Sequence, residues 1–279
     1  MKNFSLLFSF YLLRKILSAH SIKLIFEIHN IIMWKPKLFF LRFADKIIAN
    51  NEFIGKIIRE KFPQARIIVV HQGIKSELLT DVKPHSYYRE KLGIPLNKRI
   101  VVYTGKIAPK KKEIHNYIEV AKEFEDSNVL FYLVGGRSQN VEYFKKYIKK
   151  KGIRNIVFTG FVYAPLVYYY QRAADILLLC YDKTECNSLS PRSPTKLFEY
   201  MSACRPIITT PCPGVDEILK DGENALFVPF GDINALKKAI ERLLNDNKLS
   251  RKLAQNARKL VENYTWEKRA QKIIEFVFD

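Results

Sequence analysis

The chain has 279 residues, 48% hydrophobic and 27% charged. That balance excludes a disordered or fibrous chain and allows one large domain or two ordinary ones. The formal net charge of +19 suits phosphate-bearing ligands, anionic membrane or nucleic acid, and equally a lysine-rich surface of solvated helix faces.

The chain opens with a short apolar run, Phe4 to Leu13, behind Lys2. It is too short for a membrane span. Arg14 and Lys15 interrupt it before any small-residue cleavage site, so a buried or interfacial helix is favoured over an export signal. Net charge is +8 over residues 1–90 and +11 over the remaining 189, so positive charge is densest at the start. Residues 22–28, 46–49 and 66–70 read as strands, with a helix over 52–61. Residues 75–98 hold Pro84 and Pro95 and read as a linker with a short helix near 87–92.

Beyond Arg99 the pattern becomes regular. Strands are expected at 100–103, 129–134, 156–158, 175–180, 206–209 and 225–228. Helices are expected at 113–125, 141–150, 166–173, 195–203, 215–219, 232–244, 249–262 and 266–276. In the first of these helices Ile114, Tyr117, Ile118, Ala121 and Phe124 fall on one face. Alternation of this kind predicts βαβ units on a parallel sheet, with ligands beyond the carboxyl ends of the strands.

Four features stand at those ends. Gly105 to Lys112 joins a strand to a helix; its glycine permits close approach and its lysines can meet phosphate, though a solvated basic turn has the same spacing. Gly135-Gly136-Arg137-Ser138 suits a ligand or any tight turn. The polar loop Tyr181 to Pro194 runs into a helix start at Thr195 and Lys196, an anion site or an ordinary N-cap. Glu199, one turn in, can accept two hydroxyl hydrogen bonds, as a ribose offers, or be a surface glutamate. The four cysteines, Cys180, Cys186, Cys204 and Cys212, lack metal-site spacing and are expected to be reduced thiols.

Together these segments resemble the family-4 retaining glycosyltransferases of GT-B architecture. Ser193-Pro194-Thr195-Lys196-Leu197-Phe198-Glu199-Tyr200-Met201 resembles that family's SPLKLFEYM helix. Gly105-Lys106 through Lys111 resembles its Gly-Arg-x-x-x-x-Lys phosphate motif, with lysine for arginine. Phe158 to Val162 resembles its Phe-x-Gly-x-Val segment. Ala44 to Ile54, Val70 to Ile74 and Asp216 to Asn224 resemble further segments, and Glu27-Ile28-His29-Asn30 resembles its acceptor-side strand end. The position eight residues before Glu199, often a glutamate in the family, is Pro191.

The resemblance implies a fold class of α/β, GT-B-like: a nucleotide-sugar-binding Rossmann-like domain over 91–279, preceded by a partial acceptor-side domain over 1–90. The last helix would return to the N-terminal part. It implies that Gly105, Lys106, Lys111, Thr195 and Lys196 bind the diphosphate, that Glu199 binds the ribose, and that Gly160, Phe161 and Val162 border the base. His29 would be the catalytic-side residue near the sugar. The implied donor is a UDP- or GDP-sugar, with no metal and no cofactor. The acceptor would be a glycan or a polyprenyl- or lipid-linked sugar. A cytoplasmic chain, with peripheral membrane contact through its apolar, basic start, fits these expectations.

The alternative is a sugar-nucleotide-binding chain that needs a partner to complete its N-terminal half. An epimerase would want more acidic and histidine groups near the sugar. Nucleic-acid binding is not expected, because no base-stacking or groove-reading element is evident.

Overall fold

The computed structural model describes residue 11 and residues 23–29, 39–80, 83–184, 186 and 195–279. The apolar start, Pro191, and Ser193-Pro194 lie outside these. Among the described residues, β1 (Ile25–Ile28), β2 (Lys46–Ala49) and β3 (Ile67–Val69) form a parallel sheet in that order. Helix α1 (Glu52–Lys61) covers it, burying Ile54 and Ile58 against Ile28, Leu41, Ile47 and Ala49. Asn51 starts α1 by accepting from the Ile54 N–H at 2.8 Å, an N-cap that its Asn-Glu sequence suits.

A 3-10 turn, Ser76–Leu79, and helix α2 (His85–Leu92) lead into the larger sheet. That sheet has six parallel strands: β4 (Arg99–Thr104), β5 (Val129–Val134), β6 (Ile156–Gly160), β7 (Ile176–Leu179), β8 (Ile207–Thr209) and β9 (Leu226–Phe227). Their spatial order is β6-β5-β4-β7-β8-β9. Helices α3 (Lys112–Lys122), α4 (Ser138–Lys150), α5 (Leu166–Ala173), α6 (Thr195–Ser202), α7 (Ile233–Asn245), α8 (Asn247–Val261) and α9 (Trp266–Phe278) complete the chain.

Side chains alternate across the strands, so the sheet has two apolar faces. Val101, Tyr103, Phe131, Leu133, Ile176 and Leu178 pack under α3, α4 and α7 through Ile118, Phe144 and Ile240. Ile100, Val102, Val134, Leu177 and Leu179 pack under α6 and α8 through Leu197, Met201 and Val261. The strand order reverses direction between β4 and β7. Loops leaving those strands therefore diverge and open a crevice.

Among the described residues several contacts join the two sheets; Arg269 of α9 makes one, its Nε donating to His71 O at 3.0 Å and its guanidinium pairing with Glu27 of β1. Glu217 accepts from the Glu52 and Phe53 N–H groups at 2.8 and 3.1 Å, where the α1 dipole favours a carboxylate. Ile74 pairs with the segment before α9: its N–H donates to Tyr264 O at 2.8 Å, and the Trp266 N–H donates to Ile74 O at 3.0 Å. The end of α9 reaches the smaller sheet, where Lys23 Nζ donates to Val277 O at 3.0 Å and Lys46 Nζ to the same carbonyl at 3.2 Å.

Two expectations are corrected. Residues 213–218 form successive turns, and no helix runs over 215–219; Pro213 and Gly214 begin the turns and disfavour a regular helix there. Cys186 and Cys212 are not reduced thiols but a disulfide, with Cα atoms 5.1 Å apart. Their 26-residue separation carries no pairing signal. The fold supplies it, because β7 and β8 are parallel neighbours and both cysteines lie beyond their carboxyl ends. Cys180 and Cys204 are free.

Candidate functional site

Three glycine turns converge where β4, β5 and β6 end. The Gly105 N–H donates to Val134 O at 2.8 Å, and the Gly135 N–H donates to Gly160 O at 2.9 Å. Gly105, Gly135, Gly136 and Gly160 all have positive φ, from +75° to +146°. A Cβ on Gly135 would lie 2.1 Å from Gly105 O, backbone against backbone. Only glycine permits that approach. The turns border a cavity of about 570 Å³ lined also by Lys106, Arg137, Asn140, Phe161, Val162 and Val167. Phe161 is 71% exposed, with Tyr163 edge-on at 5.0 Å.

The next wall comes from α6 and α5. Lys196 lies over the Tyr103 ring, its Nζ 4.4 Å from the centroid. A Cβ on Gly105 would meet that Nζ at 2.6 Å, so the ammonium sits directly against the Gly105 turn. Tyr103 OH donates to Lys106 O at 3.2 Å, which holds the turn in shape.

Glu199 is half-buried on α6. Gln171 Nε2 donates to Glu199 Oε2 and to Thr104 Oγ1, both at 3.2 Å, while the Thr104 N–H donates to Tyr200 OH at 2.8 Å. Burial pushes the Glu199 carboxyl above its ordinary range; the Gln171 hydrogen bond and the Lys196 charge oppose that rise. Burial and the Glu199 charge also push Tyr168 up, as expected of a phenol beside that carboxylate.

The structure therefore brings Gly105, Lys106, Gly160, Phe161, Val162 and Lys196 to one carboxyl-end crevice, with Glu199 on its α6 side. Thr195 is exposed at the first position of α6. Lys111 stands apart from the exposed lysines of its loop: its ammonium is 2.5 Å from Glu113 Oε1. Glu113 is buried, and its Oε2 has no partner. His29 lies on the smaller sheet, 54% exposed, with Nε2 3.1 Å from Glu27 Oε1 and Nδ1 3.1 Å from Gln72 Nε2. Among the described residues no hydrogen bond or ion pair joins it to the glycine turns.

Two functional neighbours escaped the sequence reading. Gln171 had one available sign, a polar residue four positions after Val167 on the buried face of α5. Glu113 stood where an acid favourable to the helix dipole would stand, and nothing local marks it as buried. Among the described residues, no three His, Cys, Asp or Glu side chains lie together so as to hold a metal ion, and no helix is long and apolar enough to cross a membrane.

Comparison with known proteins bears on the fold and the family. The glycosyltransferase MJ1069 of Methanocaldococcus jannaschii, itself uncharacterized, is 25% identical over 83% of this chain and 57% of its own length. A lipopolysaccharide 1,2-N-acetylglucosaminetransferase of Salmonella typhimurium is 24% identical over 91% of this chain and 66% of its own. The chain thus spans about three-fifths of the length of these relatives. The Anabaena protein Alr3699/HepE, solved in complex with UDP, superimposes with a TM-score of 0.77 at 21% identity, covering 97% of this chain and 75% of that one. The fold is the GT-B arrangement of α/β units on parallel sheets. A family model described as Glycosyl transferases group 1 matches residues 86–260, well over half of the sequence and the whole of the crevice from Gly105 to Glu199. The chain belongs to the group 1 glycosyl transferases.

Proposed function

We propose that this chain acts as a family-4-type retaining glycosyltransferase, moving a sugar from a UDP- or GDP-sugar to a glycan or lipid-linked acceptor. The observation that carries the reading is the pairing of a half-buried carboxylate, Glu199, with glycine turns that hold Lys106 and Lys196 at the same crevice. A nucleoside diphosphate has matching chemistry, a vicinal diol beside two phosphates.

In this reading Glu199 accepts the ribose hydroxyls, with Gln171 fixing its rotamer. Lys106, Lys196 and the start of α6 at Thr195 stabilise the diphosphate. Phe161 and Val162, with Gly160, border the base. When the sugar–phosphate bond breaks, its electron pair stays on the departing phosphate oxygen. Those cations are worth most at that moment, so no metal is required of the mechanism. Lys111 reaches the diphosphate by exchanging its Glu113 contact for a phosphate oxygen. His29, at the end of β1, is assigned to the sugar side of the cleft between residues 1–90 and 91–279.

The Salmonella relative's lipopolysaccharide substrate supports a glycolipid acceptor, and the positive charge of the first 90 residues supports peripheral contact with an anionic membrane. The test is release of UDP or GDP from a panel of donor sugars, with the anomeric configuration of the product read by NMR. An α-donor giving an α-product is expected. Inversion removes the retaining reading, and donor binding with no turnover on any acceptor removes the catalytic one.

A further inference from the structure

The amino ends of β4, β7 and β8 border a second cavity, of about 540 Å³, at the opposite pole from the crevice. Arg99 opens β4, Arg205 precedes β8 and Arg251 projects from the first turns of α8. The chain has 32 lysines and 15 arginines, yet every cation lining this cavity is an arginine, with His85 beside them. A general lysine-rich background does not produce that selection. Arginine's planar fork matches an oxyanion through two parallel hydrogen bonds.

The cavity's own acid, Asp175, pairs with Arg89 and with Arg99, and among the described residues it makes no hydrogen bond or ion pair to Arg205 or Arg251. Asp175 Oδ2 accepts from Arg89 Nη2 at 2.7 Å and from the Ile100 N–H at 2.6 Å, and Arg99 Nη1 stays 3.8 Å from Oδ1. Asp246, at the N-cap of α8, accepts from the Leu249 N–H at 2.8 Å. Arg205 is half-buried; its Nε donates to Arg172 O at 3.0 Å. Among the described residues its two terminal nitrogens have no acceptor, and Arg251 has no ionic partner. Burial holds the Arg205 guanidinium below its usual value, and burial with Arg205 and Arg89 nearby keeps His85 below its own. The Arg205 terminal nitrogens are not among the buried side-chain atoms left without a partner; they reach solvent and are open to an anion that enters the cavity.

We propose that this cavity binds the dianionic phosphate of inorganic phosphate or of a small phosphate monoester, gripped by Arg205 and Arg251 with Arg99 at the rim. The site is separate from the donor crevice and does not depend on its reading. The test is calorimetric titration of the full 279-residue chain with inorganic phosphate and with glycerol phosphate at fixed ionic strength. Arg205→Met, Arg251→Met and Glu199→Gln variants are titrated alongside, with sedimentation on phosphatidic acid vesicles as a further arm. Saturable phosphate binding that weakens about tenfold or more in both arginine variants, and not in Glu199→Gln, is expected. Arg251 is exposed, so its variant guards against misfolding at Arg205. Equal binding by wild type and both arginine variants overturns the site, and so does the absence of saturable binding. Binding to vesicles without binding to either soluble phosphate overturns the small-molecule assignment.

Discussion

At the carboxyl end of the six-stranded sheet, glycines bring backbone against backbone: the Gly135 turn rests on Gly105 O, and Lys196 fills the space a Gly105 side chain would need. At the amino end the same strands are edged by arginines, and the glycine there, Gly93, closes α2 with φ +65° and nothing within 4 Å of where its Cβ would stand. One sheet thus presents positive character in two ways. Glycine turns and lysines line a crevice that leaves room for close approach. Guanidinium forks line a pocket suited to a compact oxyanion. Glycine is needed for room at the first pole and only for a left-handed helix end at the second.

The sharpest way to break that contrast is to substitute glycines at both poles. Gly135→Ala combines a 2.1 Å backbone clash with a φ of +121°. It is expected to cost about 3 kcal/mol, lowering Tm by roughly 10 °C and abolishing nucleotide binding. Both are readable by thermal shift with and without UDP and GDP. Gly93→Ala sits at the other extreme and is taken up below.

Glu199→Gln comes next. Replacing the carboxylate is expected to weaken nucleoside diphosphate binding about 10- to 100-fold, the loss of ~1.5–3 kcal/mol in charge-assisted hydrogen bonds. Its effect on the empty protein has the opposite sign. The folded chain holds the Glu199 proton to higher pH than the unfolded chain does. Stability from this group is therefore present below the ordinary carboxylate pKa and lost as pH rises through the raised value. The Tm difference between Glu199→Gln and wild type should accordingly move in the variant's favour from acid to neutral pH, as seen in paired melting curves. A flat difference would mean the carboxylate is not desolvated.

Lys106→Ala removes an exposed cation from the lip of the crevice. A loss of about 1 kcal/mol in donor affinity is expected, shrinking as salt is raised. Gly93→Ala should have the smallest consequence for function. It costs about 1 kcal/mol for a left-handed non-glycine residue, or a Tm drop of roughly 2–4 °C, with nucleotide binding unchanged. If Gly93→Ala reduced binding as much as Gly135→Ala, room at the crevice would not be what distinguishes the poles.

Much of this was legible in the residue pattern. The strand and helix series from Arg99 onward follows apolar runs and helical periods closely, because each element buries one face against its chain neighbours. The helix from Glu52 to Lys61 and the strand from Val129 to Val134 fall where periodicity puts them. The site could be placed at strand carboxyl ends because a parallel sheet leaves its loops there. What stayed hidden depends on strand order. Cys186 meets Cys212 only because β7 and β8 are neighbours. Gln171 meets Glu199 only because α5 and α6 cover the same face. Arg99, Arg205 and Arg251, far apart in sequence, converge because β4 and β8 flank β7 and α8 returns beneath them. The motif resemblance marks Lys111 as a diphosphate ligand, while its contact with Glu113 comes from burial that local sequence does not encode.

The central claim is that a nucleoside diphosphate sits in the carboxyl-end crevice with its ribose on Glu199. Titration calorimetry of UDP and GDP against wild type, Glu199→Gln and Arg205→Met tests it most directly. The expected result is binding of at least one nucleotide at about millimolar Kd or tighter, weakened at least ~tenfold by Glu199→Gln and left as in wild type by Arg205→Met. Absence of binding by both nucleotides, or binding that Glu199→Gln leaves unchanged, would contradict the assignment.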